Sequence, residues 1–105
     1  MKKVYNKLVR DRIPEIIRKS GAECKTEILS DEDYLKMLEA KLDEELAEYH
    51  KDRNIEELAD LLEVIRALAE ANGYTADELE AIRVKKHEER GGFKEKILLV
   101  ETGSK

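Results

Sequence analysis

The sequence predicts a mainly α-helical fold, an antiparallel bundle of helices with a minor pair of strands. Two observations favour it. Helix-start signals, in which a Ser, Asn or Thr is followed three residues later by an acid, occur at Ser30, Asn54 and Thr75. Apolar residues after each signal recur every three or four positions, the period of an amphipathic helix. The chain has one Pro and no repeat or low-complexity linker, so residues 1–105 are predicted to form a single domain.

The N-terminal part predicts a short helix and then a strand. Pro14 suits the first turn of a helix, and Gly21 suits the left-handed position just after its end. Between them, isoleucines supply one apolar face. Residues 24–29, CKTEIL, alternate loosely between polar and apolar and predict a short strand.

Three longer helices follow. The first is expected from the Ser30 cap to about Lys51, and the second from the Asn54 cap to Asn72 and Gly73. The third is expected from the Thr75 cap to Arg90, ending at two glycines. The tail, residues 93–100, is charged and then apolar, and is expected to pair with residues 24–29.

Composition excludes several classes of function. Charged residues make up 43% of the 105 residues, and the net charge is −5. An acidic chain with one Phe and no Trp is a poor candidate for binding duplex nucleic acid. No apolar run is long enough to span a membrane, and the N-terminus lacks the apolar region of a signal peptide. The single Cys24 allows no internal disulfide, so a reducing cytoplasmic setting is expected.

The core is expected to be small. Leu, Ile, Val and Phe together number 27, enough for a folded chain but few for a stable one. We therefore expect a partner subunit, as a homodimer or a dimer of dimers, to cover part of the surface.

The charge is unevenly distributed. Residues 39–63 hold ten acids and three bases, whereas residues 1–20 hold seven bases and two acids. Residues 83–96 hold six bases and three acids. An acidic centre is therefore flanked by two basic ends.

Two pairs of acids in this centre lie close to apolar stripes. Glu45 falls between Leu42 and Tyr49 on the first long helix, where an uncompensated carboxylate is costly. Glu48 follows three residues after Glu45, and Asp60 three after Glu57, so each pair occupies one helical face.

These four carboxylates are expected to converge. Eight residues separate the pairs, and a tight turn there makes the two helices antiparallel neighbours. Clustered acids without bases must become protonated or bind a cation, and an all-oxygen ligand set favours Mg²⁺ or Mn²⁺. The alternative is an ordinary solvated acidic face, which is the commoner origin of such runs.

The third long helix carries a complementary signal. Its stripe begins as apolar residues and continues as Arg83, Lys86 and Arg90. This face is suited to an anion, although bases near a helix C-terminus also complement the helix dipole without any ligand. Together, the acid cluster and the basic strip are typical of a metal–polyphosphate site.

Four stretches carry a resemblance to a known family. Residues 41–48 read KLxEExxE and residues 56–60 read EExAD, while residues 5–14 and 90–93 read YNKLVRDRIP and RGGF. With these motifs the whole chain resembles the MazG-like, all-α nucleoside triphosphate pyrophosphohydrolases, and it is similar to the phosphoribosyl-ATP pyrophosphohydrolases.

The resemblance implies Mg²⁺-dependent hydrolysis of a nucleoside triphosphate to a nucleoside monophosphate and pyrophosphate. It implies Glu45, Glu48, Glu57 and Asp60 as metal ligands. Glu44 or Glu48 would orient or deprotonate the attacking water. The expected substrate-binding residues are Asn6, Lys7, Arg10, Asp11, Arg12, Lys41, Lys86 and Arg90.

The chain departs from the family in two places. The eight residues between the acid pairs are fewer than the family's usual spacing, and no His follows soon after Asp60. The missing His favours a general or modified nucleotide over the phosphoribosyl-ATP substrate. The rival hypothesis from another class is a non-catalytic acidic helical module that interacts with or regulates a partner.

Overall fold

A computed structural model describes residues 3–104 of the chain. All the regular secondary structure in that range is α-helical, which confirms the predicted mainly α fold class. Four helices follow one another along the chain. They are α1 (Ile13–Lys19), α2 (Asp31–Asp52), α3 (Ile55–Ala71) and α4 (Ala76–Arg90).

The predicted helix boundaries are confirmed to within about a residue. The Ser30 side chain accepts a hydrogen bond from the Asp33 N–H, and Thr75 forms a reciprocal capping box with Glu78. Each cap satisfies a backbone donor that has no partner inside its helix. Pro14 lies in the first turn of α1, and Gly21 follows the helix with φ of +93°, a backbone conformation that L side chains rarely adopt.

The predicted strand pair is wrong. Residues 24–29 and 93–100 form no strand, and the segment 3–104 contains none elsewhere. Ile28 is 98% exposed and Leu98 is 83% exposed, so neither segment has a surface to pack against. An isolated strand pair is marginal in water without such support, and a loosely alternating pattern does not supply it.

The core is thinner than the helical pattern implies. Leu38 of α2 and Val64 of α3, which are 3% and 8% exposed, are the two buried apolar residues of the described range. They lie where α2 packs against α3, the main helix contact, and α4 packs less extensively against α3. On α3, Leu58, Leu62 and Ile65 remain 39–54% exposed. The helix therefore packs its Val64 flank against α2 and leaves its more apolar flank open.

The single chain is also extended. Its radius of gyration is 18.7 Å, against about 13 Å for a compact chain of this length. Its accessible surface is 10052 Å², against about 6000 Å² for a compact protein of this mass. No helix within residues 3–104 combines the length and the apolar character needed to cross a membrane.

Candidate metal centre

The turn between α2 and α3 brings the predicted acid pairs together. Arg53 adopts a left-handed backbone conformation with φ of 50°, which ends α2 and reverses the chain at once. Asn54 then caps α3, because its side-chain Oδ1 accepts a hydrogen bond of 3.0 Å from the Glu57 N–H. This cap fixes Glu57 in the first turn of α3, opposite the last turns of α2.

The carboxylates form two overlapping groups. Oxygens of Glu45, Glu57 and Asp60 lie within 4.8 Å of one another, and so do oxygens of Glu48, Asp52 and Glu57. All four acids of the predicted pairs are present, and Glu57 belongs to both groups. We call these five side chains the carboxylate cluster.

Asp52 is the member of the carboxylate cluster that the sequence analysis did not single out. It lies in the last turn of α2, four residues after Glu48. Residues four apart lie on the same helical face, so this spacing was a usable signal. This spacing was overlooked because Asp52 lies in the predicted turn between the helices, outside both acid pairs.

The electrostatics of Glu57 reflect its central place in the cluster. Its partial removal from water raises its pKa, and the charges of neighbouring acids raise that pKa further. The contributing neighbours are Asp60, Asp52, Glu48 and Glu45. In the metal-free protein, the α2–α3 junction therefore carries like-charge repulsion that a bound cation would relieve.

Three bases lie beside the cluster, and each is among the predicted substrate-binding residues. Arg10 Nη2 is 2.7 Å from Asp60 Oδ1, and Lys7 Nζ is 3.2 Å from Glu44 Oε1. Lys41 Nζ bridges Glu44 and Glu45, at 3.4 Å and 3.6 Å. Positive charge thus borders the carboxylates along one side.

Glu44 lies in a different environment from the carboxylate cluster. Partial burial acts to raise its pKa, but the hydrogen bond from Lys7 and the charges of Lys41 and Lys7 outweigh burial, so its pKa is lowered. A carboxylate with a lowered pKa is a weaker base. Glu48, the other predicted catalytic acid, makes no ion pair within residues 3–104.

The remaining predicted substrate-binding residues make no hydrogen bond or ion pair with the cluster in the described part of the chain. Arg12 pairs instead with Glu15 of α1, at 3.6 Å. Lys86 and Arg90 are exposed on α4 and form no ion pair in the described part of the chain. Asn6 and Asp11 are exposed residues of the segment that precedes α1.

The donor set fits a hard divalent cation. Every candidate ligand atom is a carboxylate oxygen, the donor type that Mg²⁺ and Mn²⁺ prefer, and the two helices hold the oxygens close together before any ion binds. The best-formed surface grooves lie elsewhere. One is lined by Asp31, Tyr34, Glu70 and Ala71, at the end of the α2–α3 pair opposite the carboxylate cluster.

Comparison with known proteins gives one partial match. A protein of Mycolicibacterium smegmatis (strain ATCC 700084 / mc(2)155), described as an uncharacterized protein, is 61% identical to this chain over 41 residues. The match covers 39% of this chain and 42% of the relative's length. No protein-family model matches the chain. No solved structure matches it.

Proposed function

We propose that the protein is a Mg²⁺-dependent nucleoside triphosphate pyrophosphohydrolase of the MazG-like type. The observation that carries the proposal is that the acid pairs of α2 and α3 lie close together, with Glu57 belonging to both carboxylate groups. The resemblance of the acid motifs supports the same activity. The substrate is a canonical or modified nucleotide, which makes removal of unwanted nucleotides from the cellular pool a suitable role.

The proposed division of labour follows from the contacts. Glu45, Glu48, Glu57 and Asp60 would hold the cation. When bound, Mg²⁺ supplies positive charge that offsets the charge of the phosphate groups and favours deprotonation of water. Lys7, Arg10 and Lys41 form ion pairs with acids at or beside the carboxylates, and in the proposed enzyme they would bind phosphate oxygens.

The bond changes are those of an anhydride hydrolysis. A water oxygen attacks the α-phosphorus, and the bond from that phosphorus to the oxygen bridging the α and β phosphates breaks. A carboxylate, that of Glu44 or Glu48, accepts the proton of the water, and pyrophosphate leaves with the bridging oxygen. The nucleoside monophosphate is the other product. Basic side chains stabilise the charge that develops on the leaving group.

We also propose that the protein works as a homodimer or a dimer of dimers in the cytoplasm. Leu58, Leu62 and Ile65 recur at helical spacing on an open face of α3, which a second copy would cover. A charge placed there, as in Leu62→Glu, should reduce the mass measured by light scattering to the monomer's 12.1 kDa. An unchanged oligomer would exclude this face. The free Cys24 is consistent with a reducing compartment.

Phosphorus NMR tests the activity directly. Purified protein is incubated with Mg²⁺ and a panel of canonical and modified nucleoside triphosphates, with a chelator-treated sample as control. We expect pyrophosphate and monophosphate signals that require Mg²⁺. Release of inorganic phosphate with a diphosphate would assign a different cleavage site. Absence of turnover over the whole panel would favour the non-catalytic helical module.

A further inference from the structure

The N-terminal segment, residues 3–12, contacts acids of α2 and α3 through two charged side chains, one of which binds a member of the carboxylate cluster. Lys7 reaches Glu44, and Arg10 reaches Asp60. These hydrogen bonds join residues 37 and 50 positions apart. Among residues 3–104, the other side-chain hydrogen bonds join residues ten or fewer positions apart. The two contacts are therefore the long-range polar links of the described fold.

Little else attaches this segment to the hairpin. Residues 3–10 have no regular secondary structure, and Leu8 is the one residue of 3–12 that is not exposed. The helix that follows, α1, packs against none of α2, α3 or α4. The position of the segment therefore depends strongly on the two ion pairs, which are themselves partly exposed and so individually weak.

One of these pairs uses a side chain of the carboxylate cluster. Asp60 contributes an oxygen to the group formed with Glu45 and Glu57, and its Oδ1 also accepts the hydrogen bond from Arg10. A divalent cation among these three carboxylates would draw on the charge of Asp60 and would repel the adjacent guanidinium. Arg10 and a bound cation therefore compete for Asp60.

We propose that residues 3–12 form a strap, a segment that the Arg10–Asp60 and Lys7–Glu44 ion pairs hold against α2 and α3. The strap is released when a divalent cation binds to the carboxylate cluster. In the metal-free protein, the two side chains supply positive charge at the site. After cation binding, the same side chains are free to contact an anionic ligand. This inference rests on the cation site of the proposed function. It adds that the bound cation replaces Arg10 as the partner of Asp60.

Calorimetric titration with MgCl₂ alone tests the competition. Arg10→Gln should bind Mg²⁺ more tightly than the wild type, by up to about fivefold, the factor that corresponds to an exposed ion pair. Lys7→Gln, which acts through Glu44 outside the cluster, should have a smaller effect. Arg18→Gln is the matched control, because Arg18 is an exposed base on α1 that makes no ion pair in the described range. Circular dichroism checks that all variants keep their helices.

Nitrogen-15 relaxation of the backbone gives a readout that does not depend on activity. Saturating Mg²⁺ should increase the fast motion of residues 3–12 in the wild type, and Arg10→Gln should show that motion before Mg²⁺ is added. Equal Mg²⁺ affinities for Arg10→Gln and Arg18→Gln, or a strap that stays ordered at saturation, would overturn the inference. Absence of Mg²⁺ binding in every variant would overturn both the strap and the cation site. Strap release without nucleotide hydrolysis would overturn the proposed activity alone.

Discussion

The two basic ends of the chain differ in how they relate to its acidic centre. In the N-terminal segment, Lys7 and Arg10 form ion pairs with acids of α2 and α3. Near the C-terminus, Lys86 and Arg90 are exposed on α4, which packs against α3 alone. Both ends have the same sign of charge, so the difference arises from topology. Charge pattern identifies which segments attract, and the path of the chain decides which of them meet.

Removing an acid of the acidic centre should give the largest effect on turnover, because these acids are the proposed ligands of the cation. We expect Asp60→Asn and Glu48→Gln each to lower the turnover of a nucleoside triphosphate by at least about a hundredfold, since outer-shell changes alone cost tenfold to a hundredfold. Steady-state pyrophosphate release measures the loss.

The matched control for these variants is Glu39→Gln, which removes an exposed acid from the same helix as Glu48. Its turnover should stay within about twofold of the wild type, as expected for a surface site away from the chemistry. Full activity in both Asp60→Asn and Glu48→Gln would contradict the ligand assignment.

The difference between the two basic ends can be tested next with Arg10→Gln and Arg90→Gln. Loss of a guanidinium that contacts a phosphate should raise the KM for the nucleotide by about tenfold, the equivalent of one charge-assisted hydrogen bond. Because Arg90 is exposed and makes no ion pair within residues 3–104, its loss should change KM by less than about twofold. Equal effects of the two substitutions would show that the C-terminal end joins the site after all, for example when contributed by a second copy.

The smallest expected effects are on the stability of the metal-free protein, and they depend on pH. They distinguish Glu57 of α3 from Glu44 of α2. Glu57 has a raised pKa, so the stability it contributes is present below its ordinary value of 4.5 and is lost as pH rises through the raised pKa. Glu44 has a lowered pKa, so its contribution is present above 4.5 and is lost as pH falls through the lowered pKa. The two acids should therefore respond to substitution with opposite signs.

Melting temperatures of metal-free Glu57→Gln and Glu44→Gln measure this difference. At about pH 7, well above the ordinary Glu pKa of 4.5, Glu57→Gln should melt above the wild type and Glu44→Gln below it. Both differences should shrink as the pH falls below 4.5. A lower melting temperature for Glu57→Gln at neutral pH would mean that its charge is compensated by a partner.

Most of the helical framework could be predicted from local chemistry. The caps at Ser30, Asn54 and Thr75 act within one turn, so the residues that make them are neighbours in sequence. The convergence of Glu45 and Glu57 was predictable for a related reason, since a short turn between two amphipathic helices leaves few ways to pair them. The role of the cluster stays a prediction.

The features that could not be predicted depend on contacts distant in sequence. The N-terminal segment lacks periodicity, so its pattern did not indicate the contact between Arg10 and Asp60; the family resemblance alone assigned these two residues to one site. The helical period of Leu58, Leu62 and Ile65 identifies an apolar face of α3, but it does not show what covers that face, and in the single chain these residues remain 39–54% exposed. The strand prediction for residues 24–29 failed because alternation over a few residues does not require a partner strand to exist.

Crystallography with Mn²⁺ tests the central claim most directly, because the anomalous signal of the metal locates it without reference to activity. Crystals of the wild type soaked in MnCl₂ should show an anomalous peak between α2 and α3, within bonding distance of oxygens from Glu45, Glu57 and Asp60, with Arg10 moved away from Asp60. The peak should be absent from Asp60→Asn crystals treated in the same way. A wild-type structure at saturating Mn²⁺ with no peak at these carboxylates, and with Arg10 still bound to Asp60, would contradict the account.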